Sequence, residues 1–353
     1  MYKSQPIYVK NNCSNPRRVS TMIYYLFPRS SIEVNVHCKV NYTFTQPSVS
    51  YSLSHYNYLK ELTQNLQNTE NWQKMCDQLS LYNSIKAISK INKSRFFFEI
   101  LEIHHIMRFA WEKMSEVKSL HMGTGAAYCS WAALEYIRKS KTVGDVKLLL
   151  ENKHSLDEFI SLTKEKNNIA FCEASRNDEY QNSKEFILQI CIVLCTQSKF
   201  GTCIIKCGDT FSELSLQAIT LLSHFYDKTF FLKPSVSDVT SSEKFLVCTD
   251  FLFDNINDKM FQTFFQLYKH VLECPSDRFV ENILQKKVPM FLWEKLEEIN
   301  SIFGQPRLEK IHQLLTCAED PEWTKEYPYK QNAKQAKEWW DKLRGSEAPP
   351  YPL

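Results

Sequence analysis

The spacing of hydrophobic and polar positions changes period several times along this chain, and the changes divide it into three parts. Residues 1–52 alternate β-branched and aromatic residues with polar ones, as in SIEVNVHCKVNYTFT (31–45), which predicts two or three strands. From about 54 to 116 the spacing is helical, through HYNYLKELTQNLQ, NWQKMCDQLSLYNSIKAIS and SRFFFEILEIHHIMRFAWEKM. In the last of these, Phe97, Ile100, Leu101, His104 and Met107 recur as one helical face.

Beyond this the element type alternates. Lys118–Met122 reads as a strand, GTGAAYC as a tight turn, SWAALEYIRK as a helix and DVKLLLE (145–151) as a strand. LDEFISLTKEK is helical, IAFCEA (169–174) strand-like, and SKEFILQICIVLCTQSK (183–199) a buried helix. FGTCIIKC (200–207) is a strand, TFSELSLQAITLLSHFY (210–226) a helix, and KTFFLK and KFLVCTDF close as two strands. Thr210 and Glu213 have capping-box spacing, which places the start of that helix at Thr210. Such alternation predicts an α/β domain with a mostly parallel sheet and helices on both faces. Past residue 255 the pattern is helical again, in NDKMFQTFFQLYKHVLE, PMFLWEKLEEINSIF, PRLEKIHQLLT and AKQAKEWWDKLRG. The expected organisation is an N-terminal extension (1–91), a central α/β domain (92–252) and a C-terminal helical segment (253–353).

Composition narrows the function class. A net charge of +3 supplies no global basic field, so any nucleic-acid surface must be local. The N-terminus lacks the apolar core of a secretory signal and no apolar run has membrane-spanning length, so a cytoplasmic location is expected, with the nucleus as the alternative and no membrane partner. Twelve cysteines without a CxxC pair point to reduced, buried thiols and no metal site. Neither a Gly-x-Ser-x-Gly elbow nor a phosphate loop occurs, which argues against a hydrolase or nucleotidyl enzyme.

In open parallel sheets ligands bind at the carboxyl ends of strands, and four such ends carry suggestive residues. Gly123, Thr124, Gly125 and Ala126 lie between strand and helix, where small residues let backbone amides approach a ligand. Glu151 closes DVKLLLE, a place from which an acid can accept hydrogen bonds from a ribose diol. Glu173 ends IAFCEA, and Lys206 ends CIIK, where burial is expected to lower the amine towards base-competent values.

The stretch FGTCIIKCGDTFSELSLQAITLLSHFYDKTFFLKPSVSDVTSSEKFLVCTDF resembles the C-terminal half of FtsJ-like cap 2′-O-methyltransferases. The shared order is an apolar strand ending in Lys206, a long helix, a strand ending in Lys233-Pro234, a Ser/Thr-rich loop, Ser242-Glu243 and the strand Phe245–Cys248. AWEKM (110–114) is similar to the family helix carrying its first catalytic lysine, here Lys113, and SLHMGTGA to its cofactor loop. The resemblance covers roughly 92–315 and implies a Rossmann-like S-adenosylmethionine-dependent methyltransferase fold. It also implies S-adenosyl-L-methionine as cofactor, a tetrad of Lys113, Glu173, Lys206 and Glu243, and cofactor contacts from Gly123, Thr124, Gly125, Ala126 and Glu151. Its implied partner is RNA at a capped mRNA 5′ end, with capping or polymerase subunits as further partners and no DNA. In that scheme Lys206 deprotonates a ribose 2′-hydroxyl.

The chain departs from the family at Thr124, where proline is usual, at Glu173 (or, in another alignment, Ala174), where aspartate is usual, and in the 11 residues between Lys113 and Gly125, a shorter spacing than the family's. A competing register aligns SRFFFEILEI with the bacterial FtsJ pattern and puts Glu99 at the first tetrad position. A catalytically inactive, RNA-binding or scaffolding relative is the alternative reading. Lys93, Arg95, Arg108, Lys233, Lys244 and Tyr128 are looser candidates for RNA contact, and the Trp339-Trp340 pair is expected to dock its helix onto the body.

Overall fold

A computed structural model of the chain describes residues 23–30, 35–37, 40–44, 52–78, 80–107, 109–123, 126–138, 141–149, 154–174, 179–254, 256–319 and 327–345. The elements run in chain order as β1 (Ile23–Phe27), β2 (Tyr42–Thr43), α1 (Leu53–Gln67), α2 (Trp72–Gln78), α3 (Leu81–Ser89) and α4 (Arg95–Met107). A 3-10 turn (Ala110–Lys113) leads into β3 (Glu116–Met122), α5 (Ala126–Arg138), β4 (Thr142–Leu149), α6 (Leu156–Leu162), β5 (Asn167–Ala174) and α7 (Glu179–Thr196). Then come β6 (Gln197–Cys207), α8 (Glu213–Phe225), β7 (Tyr226–Lys233), β8 (Lys244–Phe251), α9 (Asp258–Leu272), β9 (Phe279–Val280), α10 (Met290–Glu319) and α11 (Tyr327–Gly345).

The main sheet has the order β1-β7-β8-β6-β5-β3-β4. β4, β3, β5 and β6 are parallel, and each needs a helical crossover to return to the same edge. β8 runs antiparallel between β6 and β7, entered through the short connection 234–243. This is the mixed α/β sheet the alternation predicts, consistent with the Rossmann-like S-adenosylmethionine-dependent methyltransferase fold. β1 adds an antiparallel edge strand beside β7, so the segment before residue 92 completes the same sheet.

Alternating side chains give the sheet two apolar faces. Leu120, Met122, Cys172, Ile205 and Leu246 face α7, α8, α9 and the first half of α10. Val117, Phe171, Ile204, Phe245 and Val247 face α3, α4, α5 and α11. A smaller cluster joins α1 and α2 to Phe211 and the second half of α10. Strands buried on both faces explain why β5, β6 and β8 read as nearly unbroken apolar runs. Trp340 is buried in the second face and Trp339 donates to Glu102 at 3.0 Å, so the tryptophan pair does dock α11.

Three local expectations are corrected. The helix after Cys207 is capped by Ser212, whose Oγ accepts from the Ser215 amide at 3.1 Å, while Thr210 Oγ1 donates instead to Asn300 Oδ1. AWEKM does not continue the preceding helix. Phe109 is extended, and Glu112 starts a separate turn by accepting from the Phe109 amide at 2.6 Å. The two helices expected on either side of Pro306 are one helix, α10, with the proline inside it. Within 1–52, where two or three strands are expected, the described residues show β1, the two-residue β2 paired with β9, and a Val36–Leu284 bridge. The described cysteines are free thiols, most of them buried, and no metal-holding cluster occurs among the described residues. No described helix is long and apolar enough to cross a membrane.

Candidate active site

The parallel registers put three positions side by side at the carboxyl edge of the sheet. Met122 pairs with Cys172 and Glu173 with Lys206, so Gly123, Glu173 and Lys206 follow one another across β3, β5 and β6. Lys206 shares the face of Ile204, under α4. Because β8 is reversed, its entry lies at this same edge, and Glu243 immediately precedes it. Lys206 Nζ therefore sits 3.1 Å from Glu243 Oε2 and 3.6 Å from Glu99 Oε2, which descends from α4. The ammonium also lies 5.5 Å from the centroid of Phe96, a ring stacked on Phe245 at 5.8 Å. Glu99 has no exposed surface and Lys206 keeps 7 %, whereas the Glu243 side chain is 30 % exposed.

The loop that carries Glu243 is anchored to α4 by two buried acids. Glu99 accepts from Ser237 Oγ at 2.7 Å. Glu102 accepts from the Ser235 amide and hydroxyl, the Val236 amide and Trp339 Nε1. Glu102 is outside the expected tetrad, and Glu99 enters it only in the competing register. Their signal in the sequence is two carboxylates one helical turn apart inside the apolar run FFFEILEI.

Electrostatics reverse one expectation. Burial alone opposes a charge on Lys206, but the carboxylates of Glu99, Glu243 and Glu173 outweigh it and hold the amine above the ordinary lysine value. Lys206 is thus an ammonium at neutral pH and not the free amine expected from burial. The lysine at this site that is depressed is Lys233, at about 8, through burial and then the neighbouring cation Arg307, against the pull of Asp238 and Glu243. Lys233 and Lys244, looser candidates for RNA contact, are largely buried. They are 8 % and 4 % exposed and donate to Ser241 O at 2.6 Å and Gly208 O at 2.5 Å. Both line a small cleft beside Glu243 with Asp209, Phe211, Asn300 and Arg307.

The depressed Lys233 has a consequence for stability. Between about 8 and 10.5 the unfolded chain binds its proton and the folded chain does not, so stability rises with pH across that window. The full rise from this group is on the order of 3 kcal/mol. Urea titrations at pH 8 and pH 10 should show it, and Lys233→Met should flatten it; an equal rise in the variant removes Lys233 as the cause.

The remaining expected residues divide as follows. Gly123 has φ +119, and a Cβ built on it would lie 2.8 Å from Glu173 Cβ and 3.4 Å from Glu173 Oε2. Its missing side chain therefore keeps open a cradle against Glu173, which fits a backbone approach by a cofactor. Thr124, Gly125 and Glu151 lie outside the described residues, and Ala126 begins α5. Lys113 is not brought to the cluster. It is exposed on the 3-10 turn before β3, at the opposite edge of the sheet, with the seven residues of β3 (roughly 20 Å) between. Glu99, from the competing register, stands beside Lys206 instead. Arg95 pairs with Asp238 at 3.5 Å and stacks on Tyr82, Arg108 lies outside the described residues, and Tyr128 is exposed on α5.

No family model matches the chain. It is 44% identical over 54 residues to the cap-specific mRNA (nucleoside-2′-O-)-methyltransferase 1 of Leishmania braziliensis, a stretch covering 15% of this chain and 14% of that protein. It is likewise 44% identical over 52 residues to the enzyme of the same name from Trypanosoma cruzi (strain CL Brener), with the same shares. The chain thus spans about a seventh of the length of these relatives. The crystal structure of SMU.776 complexed with SAH overlays with a TM-score of 0.27 at 13% identity, over 42% of this chain and 47% of that one, too loose a fit to bear on the site. A distant relationship to cap-specific 2′-O-methyltransferases is what the two short stretches establish.

Proposed function

We propose that this chain is an S-adenosylmethionine-dependent methyltransferase of the FtsJ-like type, acting on a ribose 2′-hydroxyl at the capped 5′ end of mRNA in the cytoplasm. The observation that carries the reading is the meeting of Lys206 Nζ and Glu243 Oε2 at 3.1 Å, beside Glu173, on the rim where Gly123 opens the sheet. The short matches to cap-specific methyltransferases support the same substrate class.

S-adenosylmethionine, when bound, supplies a methyl group already activated on a sulfonium, so the protein's task is to place and polarise the accepting oxygen. Gly123 and the start of α5 are the described residues that would hold it, with Thr124, Gly125, Ala126 and Glu151 assigned by resemblance. Lys206 donates hydrogen bonds towards the 2′-oxygen and stabilises charge growing there. Glu243, the more exposed acid, orients that ammonium and reaches solvent to pass on a proton. Glu173 sets the local field from the neighbouring strand. The substrate would be RNA, with capping or polymerase subunits as protein partners.

The test is methyl incorporation from labelled S-adenosylmethionine into capped and uncapped RNA of one sequence, alongside calorimetry with the cofactor. Transfer to the 2′-oxygen of capped RNA is expected. Absence of both transfer and cofactor binding would overturn the assignment. Gly123→Ala should weaken cofactor binding at least tenfold, because the added methyl meets Glu173 and the backbone must leave φ +119. Unchanged affinity would remove Gly123 from the cofactor site.

A second reading, a non-catalytic RNA-binding subunit of a capping assembly, is favoured by one observation: a carboxylate, Glu99, stands beside Lys206 where the resemblance has a lysine. Cofactor binding without transfer to any RNA would select it.

A further inference from the structure

We infer that Glu99 is the positioning residue of this site, a buried carboxylate on α4 that fixes the Lys206 side chain from above the sheet and holds it as an ammonium. The inference deepens the methyltransferase reading and takes its functional consequence from it, but the protonation it asserts can be tested without that reading.

Geometry carries the inference. Lys206 is enclosed between β5, β8 and α4, and the charged groups facing it are all acids: Glu173 from β5, Glu243 from the entry to β8, and Glu99 from α4. Glu173 and Glu243 retain exposed surface, whereas Glu99 has none. One Glu99 oxygen takes the Ser237 hydroxyl, and the other accepts no hydrogen bond and faces the ammonium at 3.6 Å. A carboxylate sealed from water stays charged only beside a cation, and Lys206 is the cation within reach. The Glu99 carboxylate therefore favours the charged form of Lys206, and the direction of the Lys206 titration agrees with this. Lys233, Lys244 and Arg307 are engaged by other partners, namely Ser241 O, Gly208 O and Asp209. Phe96, one turn before Glu99, closes the side of the ammonium with its ring.

The consequence is a division of labour among the three acids. Glu99 cannot touch a substrate, so it acts through Lys206 and, by way of Ser237, through the loop that carries Glu243. It converts a lysine that burial would otherwise neutralise into a fixed positive charge aimed at the rim. A site so built clamps an anionic or polarised oxygen at neutral pH and does not take a proton with its amine.

The experiment is a pH titration of the full chain with lysines carrying ¹³C at Cε, the Lys206 signal being assigned by its loss in Lys206→Arg. In the unaltered protein the signal should stay that of an ammonium throughout the range in which the chain remains folded. In Glu99→Gln its inflection should move down by about one pH unit or more, as expected when an opposite charge at this range is removed. Ser237→Ala removes the other partner of Glu99 without changing charge and should leave the signal unmoved. If Glu99→Gln does not fold, Glu99→Asp retracts the charge and should move the inflection in the same direction by less. A Lys206 signal that titrates alike with and without the Glu99 charge overturns the inference. A shifted signal in a chain that transfers no methyl group would sustain Glu99 as the partner and overturn the methyltransferase reading instead.

Discussion

Replacing Lys206 by arginine is expected to lower methyl transfer to capped RNA at least about a hundredfold, the usual cost of losing a positioned donor at a reacting oxygen. Affinity for S-adenosylmethionine should stay within a few-fold. Arginine keeps a positive charge among Glu99, Glu173 and Glu243, so the fold tolerates it, but its planar fork cannot bring a single donor to the place occupied by Lys206 Nζ. Lys206→Met should lose transfer as completely and also destabilise the protein by about 3 kcal/mol, because Glu99 is left as a sealed, uncompensated acid. The measurement is a single-turnover rate on capped RNA, with calorimetry on the same preparation. Retention of more than a tenth of the rate in both variants would take Lys206 out of the chemistry.

Glu102→Ala is expected to cost about 4 kcal/mol in urea denaturation, the largest effect of any single polar change proposed for this fold. Its carboxylate receives four donors: the Ser235 amide at 2.9 Å, the Ser235 hydroxyl at 2.7 Å, the Val236 amide at 3.2 Å and Trp339 Nε1 at 3.0 Å. An alanine leaves two buried backbone amides and an indole without an acceptor, each worth about 1 to 3 kcal/mol. The damage should not stay local. The same carboxylate ties α4, α11 and the loop before β8 together, so Trp339 fluorescence should report loosening before the sheet unfolds. A loss below about 1 kcal/mol would mean that water replaces the acid, and that the loop is held chiefly by Glu99 and Lys233.

What could be read in the letters follows from how local each feature is. β3, β5, β6, β7 and β8 were legible because each is an apolar run bounded by turn residues, and Lys206, Glu173 and Glu243 because each ends or begins such a run. Their meeting depends on strand register, which the order of elements sets. Glu99 was harder, since an acid inside FFFEILEI looks like a helical position that should reach solvent; only packing against the sheet shows that it does not. Lys113 illustrates the reverse. Its motif matched letter for letter, but Phe109 breaks the helix and the lysine emerges at the wrong edge. The cap at Ser212 is masked in the letters because Thr210 offers the same chemistry two residues earlier, and only the fold shows that hydroxyl engaged by Asn300 on α10. The edge strand β1 depends on pairing with β7, some two hundred residues on, which no local pattern announces.

The reversed direction of β8 has a mechanical corollary. Lys206 is paired with Phe245 in a central ladder of the sheet, and Glu243 is two residues from that pairing. The span between the backbones that carry amine and acid is thereby tied to the spacing of adjacent strands, about 4.8 Å, one of the stiffest lengths a polypeptide offers. Breathing of the surrounding helices can admit or expel a visitor at the rim, but it cannot stretch the yardstick against which that visitor is aligned.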